Sequence, residues 1–185
     1  MVELVLNNEH LSSALGEALS GCRRRLFIAT ADVKDLHVPM AELASGGRAR
    51  LRRNSARSIV DVFADLSSRG VEISLLHSGV PSSSFLRQLK AGVPHGLVMR
   101  RCPRVHAKAV IADGRSMYLG SANLTGAGLG AKSARRRNFE AGIWTDEIAL
   151  IDPVMDMLQT IWDGSQCTDC GRKDYCPVPL EEPNL

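Results

Sequence analysis

The sequence contains few aromatic residues: phenylalanine, tryptophan and tyrosine together make up 4% of its 185 residues. Proteins that bind single-stranded nucleic acid often stack bases on aromatic side chains, so a stacking surface is not expected here. The sequence also has no apolar run of about eighteen residues, the length that predicts a membrane-spanning helix. The segment after Met1 lacks the basic start and small-residue cleavage site of a secretory leader. We therefore expect a soluble cytoplasmic protein that does not insert into membranes.

Cysteine is also scarce, with five residues in the chain, and without a secretory leader a disulfide framework is not expected. In the segment CTDCGRKDYCP, two and then five residues separate Cys167, Cys170 and Cys176. Three thiols in so polar a segment predict a metal site, and Cys102 is a better fourth ligand than Cys22. A [4Fe–4S] cluster and a zinc ion both accept four thiolates, and both alternatives stay open. Either group would be structural, because four protein ligands leave no position for substrate.

Acidic residues are missing between Glu42 and Asp61, although the formal net charge of the chain is only +3. Arginine presents a fork of N–H donors that suits phosphate, and basic surfaces attract polyanions. A solvated arginine-rich surface without a ligand is an equally weighted alternative. Further arginines cluster at residues 23–25, 100–104 and 135–137. The arginines that we predict to bind substrate all lie in the segment without acidic residues: Arg48, Arg50, Arg52 and Arg53.

The most informative segment of the chain is HAKAVIADGRSMYLGSAN, residues 106–123. Alternation of apolar and polar residues predicts a strand that places His106 and Lys108 on the same face. Asp113-Gly114 is a turn signal, and the following residues to Gly120 are typical of the returning strand of a hairpin. The hairpin therefore brings four polar side chains to one end: His106, Lys108, Ser121 and Asn123.

This segment resembles the signature of the phospholipase D superfamily, which is His-x-Lys, four residues, Asp, six residues and Gly-Ser-x-Asn, and it matches every fixed position. The resemblance implies a phosphodiesterase without a catalytic metal, in which His106 attacks phosphorus and forms a phosphohistidine. A second histidine protonates the leaving oxygen, and water then hydrolyses the intermediate. Lys108, Ser121 and Asn123 would stabilise the charge on the phosphate oxygens.

Two acidic residues complete the predicted catalytic set. The resemblance implies an acidic residue downstream of the motif that orients the histidine, and Glu140 in RRNFEAGIW is the candidate, with an ordinary surface carboxylate as the alternative. Asp113 belongs to the motif but lies on the predicted turn. We therefore predict that Asp113 supports the site by holding the hairpin or another side chain.

The chain contains one copy of the motif, and no second His-x-Lys occurs at His10, His37, His77 or His95. Small single-motif members of the superfamily dimerise, so that two copies of one histidine meet at a composite site. The resemblance therefore implies a homodimer, and a two-fold dimer is the commonest oligomer. His77 directly follows the apolar run VEISLL, and we predict that it contacts the substrate. The alternative is an ordinary histidine at a strand end, which is often merely exposed.

The periodicity predicts an α/β domain with a mixed β-sheet flanked by helices, consistent with a phospholipase D-like fold. We assign residues 1–163 to the catalytic domain and residues 164–185 to a cysteine-rich tail packed on it. Residues 34–54 are expected to form a loop, and the segment LTGAGLGAK is expected at the rim of the active site. The predicted helices are residues 9–21, 55–68, 83–91 and 147–162, the last with a kink at Pro153. The predicted strands are residues 26–33, 71–76, 97–101 and 139–144, together with the hairpin 105–120.

We interpret the protein as a homodimeric nuclease acting on DNA or RNA. The cysteine spacing, with proline after the last cysteine, resembles the iron–sulfur staple of some DNA-processing nucleases whose catalytic domains are different. Phospholipid hydrolysis is the first alternative, and the lack of a basic amphipathic helix argues mildly against it. The second alternative is a nucleic-acid-binding subunit of a larger assembly, such as a phage-defence system.

Overall fold

The computed structural model describes residues 1–16, 21–39 and 56–183, and these residues build a seven-stranded sheet with helices on both faces. The strand order in the sheet is β1-β9-β8-β7-β2-β5-β6, and β3 and β4 form a separate antiparallel pair. The strands are β1 (Val2–Leu6), β2 (Arg25–Thr30), β3 (His37–Pro39), β4 (Ala56–Ser58), β5 (Glu72–His77), β6 (Leu97–Arg101), β7 (Lys108–Ala112), β8 (Ser116–Gly120) and β9 (Ala141–Thr145). The α-helices are α1 (Ile59–Ser68), α2 (Ser83–Ala91) and α3 (Ile148–Trp162).

The sheet has a parallel half and an antiparallel half. Strands β2, β5 and β6 are parallel, with α1 and α2 in the connections between them. Strands β7, β8, β9 and β1 continue the sheet on the other side of β2, and each is antiparallel to its neighbour. This architecture confirms the predicted mixed α/β sheet flanked by helices.

The two faces of the sheet bury different sets of side chains because successive residues in a strand point to opposite faces. On β2, Ile28 belongs to the core cluster that contains Phe63 of α1 and Phe85 of α2. Phe27, one residue earlier, belongs to the opposite cluster, which contains Ile151 and Leu158 of α3. The sheet is therefore the middle layer of three.

Serine caps fix where the two helices of the parallel half begin. Ser58 Oγ accepts a hydrogen bond of 3.1 Å from Asp61 N at the start of α1, and Ser82 caps α2 in the same manner. The prediction of a helix from residue 55 was wrong at its start, because residues 56–58 form β4 instead. Helix α3 continues through Pro153. Within the described ranges, no helix is long and apolar enough to cross a membrane.

The N-terminal region differs most from the prediction. A 3-10 turn at Asn7–Glu9 and a π-helical stretch at Leu11–Gly16 replace the start of the predicted helix 9–21, and residues 17–20 lie outside the described part. Strand β1 was not predicted, and it pairs with β9 as the last strand of the antiparallel half. Only Val5 of β1 is buried, so its apolar pattern alone is a weak strand signal. Within the predicted loop 34–54, His37–Pro39 form β3 and residues 40–54 lie outside the described part.

The segment after α3 folds back onto β6. The backbone N–H of Arg101 donates to the carbonyl oxygen of Glu181 at 3.0 Å, and the Arg101 guanidinium forms an ion pair with the Glu181 carboxylate at 3.5 Å. Between the end of α3 and Glu181, the chain forms a short 3-10 helix at Lys173–Tyr175. These contacts place the cysteine-bearing segment against the strand that ends just before Cys102.

Candidate active site

The motif residues other than Asp113 gather at one edge of the sheet, where β2 and β5 end and β7 begins. Ala29 of β2 pairs with Ala109 of β7, so Lys108 lies beside the end of β2. On its other side, Lys108 is paired with Gly120, the last residue of β8. Carboxyl ends of parallel strands are a common place for ligand binding in α/β proteins, and this part of the motif occupies that edge.

His106 lies outside the strand that was predicted to carry it. Strand β7 begins at Lys108, and the preceding chain turns at Cys102, whose carbonyl oxygen accepts a hydrogen bond from Val105 N at 3.0 Å. The alternation of the strand therefore does not extend back to His106, which corrects the predicted geometry. The His106 side chain is exposed at the strand entry, where a nucleophile is accessible to a substrate.

Lys108 is the buried charge of the site. The residue is 7% exposed, and Nζ donates to the backbone oxygen of His106 at 2.7 Å. Burial lowers the pKa of the Lys108 ammonium below its ordinary value, and the Glu140 carboxylate opposes this shift. A charge with little water around it acts more strongly on a nearby phosphate oxygen than an exposed charge does.

Glu140 is brought to the motif by the chain just before β9. Ser121 Oγ donates to Glu140 Oε2 at 2.5 Å, and Asn138 Nδ2 donates to Glu140 Oε1 at 2.9 Å. Ala141 N in turn donates to Ser121 Oγ at 3.1 Å. The predicted proximity of Glu140 to the motif agrees with these contacts, whereas its predicted role of orienting His106 stays a prediction because its described hydrogen bonds go elsewhere.

Asn123 is oriented by the end of β2. Its Oδ1 accepts hydrogen bonds from Ala31 N at 3.1 Å and from Asp32 N at 3.2 Å. Because the oxygen is held by these backbone groups, the amide nitrogen is the atom presented as a donor. The arrangement suits a neutral donor to a phosphate oxygen.

The glycine-rich segment after the motif packs directly on Asn123. A Cβ atom at Gly128 would lie 2.7 Å from the backbone oxygen of Asn123, so a side chain at this position would collide with the motif. This contact agrees with the prediction that LTGAGLGAK borders the site.

Tyr118 packs against Gly120 of the motif, and sequence analysis did not identify it. Its hydroxyl group hydrogen-bonds His10 Nδ1 at 2.8 Å, and both residues are buried. Burial raises the pKa of Tyr118 to about 12, so its hydroxyl stays protonated at neutral pH. Gly120 follows Tyr118 by two residues in the same strand, so the two share a face of the sheet. This spacing was the signal that could have identified Tyr118 as a neighbour of the motif.

We expect Gly120→Ala to lower the free energy of unfolding by about 2 kcal/mol, because overpacking a tight contact strains both neighbours. A Cβ atom at Gly120 would collide with the Tyr118 hydroxyl group and would lie 2.8 Å from Gly142 Cα. Urea denaturation measures the loss. Gly92→Ala is the control, because a Cβ atom at Gly92 meets no atom within 4 Å. Equal stability of the two variants would contradict the tight packing under the motif.

Asp113 lies at the opposite end of β7 from Lys108. Its carboxylate accepts hydrogen bonds of 2.8 Å from the backbone N–H groups of Arg23, Arg24 and Arg25. These groups lead into β2, so Asp113 joins β2 to the β7–β8 turn. This position corrects its inclusion among the catalytic residues and agrees with the predicted supporting role.

His77 and the predicted arginine contacts have different outcomes. His77 is 1% exposed, and its Nδ1 hydrogen-bonds the carbonyl oxygen of Gly79 at 2.8 Å. Burial lowers the pKa of His77 and favours the neutral imidazole, so the predicted substrate contact is not supported. The remaining predicted contacts lie outside the described residues: Arg48, Arg50, Arg52 and Arg53.

The four predicted metal ligands border one cavity of about 450 Å³ beside the active-site loop. They come from the segment between β6 and β7 and from the chain after α3. Within the described ranges, no three histidine, cysteine, aspartate or glutamate side chains form a group that could hold a metal ion. The four cysteines are Cys102, Cys167, Cys170 and Cys176.

Comparison with known proteins identifies a matching family and several similar folds. The family described as "Cardiolipin synthase, PLD-like domain" matches residues 36–162. NucT from Helicobacter pylori has a similar structure, with a TM-score of 0.62 and 15% identity over 88% of this chain and 96% of NucT. Nuc from Salmonella typhimurium, described as a phospholipase D family member, has a TM-score of 0.57 and 14% identity over 88% of this chain and 94% of Nuc.

A larger protein shares the same fold. Phosphatidylserine synthase from Haemophilus influenzae Rd KW20 has a TM-score of 0.54 and 15% identity over 86% of this chain, but only 38% of its own chain is covered. At these low identities the structural similarity concerns the fold alone. No curated protein sequence matches this chain.

Proposed function

Because this chain belongs to the phospholipase D superfamily, we propose that it is a nuclease that hydrolyses DNA or RNA through a phosphohistidine formed on His106. The observation that carries the proposal is the exposed His106, whose backbone oxygen accepts a hydrogen bond from the buried ammonium of Lys108. A nucleophile next to a fixed positive charge suits attack on a phosphodiester, whose oxygens gain negative charge in the transition state.

In the proposed first step, the neutral His106 imidazole attacks phosphorus and the P–O bond to the leaving group breaks. Lys108 and Asn123 donate hydrogen bonds to the oxygens that carry the growing charge. A second histidine gives its proton to the leaving oxygen and then takes a proton from the water that attacks the phosphohistidine. The P–N bond breaks in this second step, which releases the phosphate product and restores His106.

The proposal requires a homodimer, because this mechanism needs two histidines. The other histidines of the chain are unsuited: His10 and His77 are buried, and His37 and His95 are exposed outside the motif. A second copy related by a two-fold axis supplies the same His106 from the opposite side. Phe139 is 95% exposed and immediately precedes Glu140, and an aromatic side chain at such a position is suited to a contact with the second copy.

Nucleic acid is favoured as the substrate by the charges next to the site. Arg104 is exposed two residues before His106, and Arg135 and Arg136 are exposed just before the segment that carries Glu140. Exposed arginine side chains close in sequence to the residues of a phosphodiester site suit a polymer with a phosphate on each nucleotide. Since aromatic residues make up 4% of the chain, we expect backbone contacts and little sequence preference.

The test is cleavage of labelled single-stranded and double-stranded DNA and RNA in excess EDTA. We expect the wild type to cleave at least one polymer and His106→Ala to cleave none, because the reaction uses no divalent metal ion. Higher salt should slow cleavage, since binding releases counterions from the phosphates.

Two other outcomes would replace the proposal. Release of a headgroup from phospholipid vesicles without cleavage of any polymer would identify a phospholipid hydrolase. Salt-sensitive binding of nucleic acid without cleavage, by wild type and His106→Ala alike, would identify a binding subunit of a larger assembly.

A further inference from the structure

Four of the five cysteines of the chain meet at one cavity, although they come from two distant segments. Cys102 lies directly after β6, and the other three lie after α3. All four are partly exposed, whereas Cys22 is buried elsewhere, three residues before β2 begins. The thiols border a space of about 450 Å³.

The described arrangement of these thiols does not match a single tetrahedral ion. A zinc ion bound at about 2.3 Å by four tetrahedral thiolates draws the sulfur atoms to within about 4 Å of one another. Among the residues that the structure describes, no three potential ligands form such a group. A [4Fe–4S] cluster also binds four thiolates, but each thiolate binds a different iron, so the cysteine sulfurs stand farther apart than around one ion. Cys176 is also followed by proline, as in the bacterial cluster motif.

The charges around the cavity also suit a cluster. A four-iron cluster with four thiolates is an anion, and cationic side chains and hydrogen bonds to its sulfurs stabilise it. Arg104 Nη1 donates to Cys170 Sγ at 3.7 Å. The cationic residues at the cavity are Arg101, Arg104, Arg172 and Lys173.

We propose that Cys102, Cys167, Cys170 and Cys176 bind a [4Fe–4S] cluster that fixes the loop bearing His106. Cys102 is held by its own N–H, which donates to the His77 carbonyl oxygen at 2.8 Å, and by the turn to Val105. His106 follows Val105 directly. A cluster bound to Cys102 therefore anchors the short chain that sets the position of His106, and the cysteines act as positioning residues.

The test is the metal and sulfide content of the full chain, purified without oxygen from iron-replete cells. We expect about four irons and four acid-labile sulfides per chain and a broad absorbance near about 400 nm. Separate Cys102→Ala, Cys167→Ala, Cys170→Ala and Cys176→Ala variants should each lose most of the iron. Cys22→Ala is the matched control and should keep it, because Cys22 does not border the cavity.

One zinc per chain without sulfide would overturn the cluster, and so would wild-type protein that folds without bound metal. Iron that stays bound in all four variants would overturn the assignment of the ligands. The wild-type stoichiometry decides the question even if a variant fails to fold, and circular dichroism identifies such a variant. None of these measurements uses cleavage, so a wrong substrate and a missing cluster give different results.

Discussion

Replacing His106 with alanine is expected to lower phosphodiester cleavage by at least about a thousand-fold, because the covalent intermediate can no longer form. The change removes an exposed side chain, so the fold should keep its thermal stability. His95→Ala is the control, since His95 is another exposed histidine outside the motif. Single-turnover rates of the three proteins in EDTA measure the effect, and equal rates for His106→Ala and wild type would exclude His106 as the nucleophile.

The same substitution also tests the composite dimer site. When wild-type and His106→Ala chains are mixed and allowed to exchange subunits, a site that needs both histidines is active only in dimers of two wild-type chains. Activity per total protein should then follow the square of the wild-type fraction. A linear dependence would show that each chain acts alone, and active protein that sediments as a monomer would contradict the dimer directly.

Replacing Asp113 with alanine is expected to lower the free energy of unfolding by about 3 kcal/mol at neutral pH. The substitution leaves three backbone N–H groups, of Arg23, Arg24 and Arg25, without their charged acceptor. Asp113 also has a φ of +54°, a conformation that aspartate tolerates better than alanine does. Chemical denaturation measures the loss, and Asp156→Ala on the exposed face of α3 is the control.

The loss should depend on pH in a predictable direction. Burial acts to raise the pKa of Asp113, but hydrogen bonds from Arg25, Arg23 and Arg24 outweigh it, and the pKa in the folded protein lies below the ordinary value. The ionised carboxylate therefore stabilises the fold above the pKa of the unfolded chain. This contribution disappears as pH falls through the folded-state pKa. The difference between wild type and Asp113→Ala should shrink in acid, and a constant difference would exclude the carboxylate charge as its source.

Local signals predicted the parts of the fold that local chemistry determines. The observed bounds of α2 and β6 match the predictions. Ser82 caps the start of α2, and a segment rich in glycine and proline separates α2 from β6. The motif spacing likewise predicted that Ser121 returns to the end of the hairpin near His106, and the preceding Gly120 pairs with Lys108. In each case the determining residues are close in sequence.

Contacts between distant segments determine the parts that were not predicted. Strand β1 forms because β9, which is far from it in sequence, offers an unpaired strand edge. His106 precedes the strand because the turn at Cys102 and the burial of Val105 fix where β7 begins. The hydroxyl group of Tyr118 hydrogen-bonds His10, and no local sequence pattern connects His10 with the motif. Alternation in a single segment carries no information about such partners.

The central position of β7 has a consequence for the order of folding. The β7–β8 hairpin can form from local contacts alone, whereas the pairing of β7 with β2 closes a long loop of chain and is expected to be slow. Asn123 acquires its orientation only when the end of β2 is in place. A chain that has formed the hairpin but not the full sheet therefore lacks an organised phosphate site, so hydrolytic competence should appear late in folding.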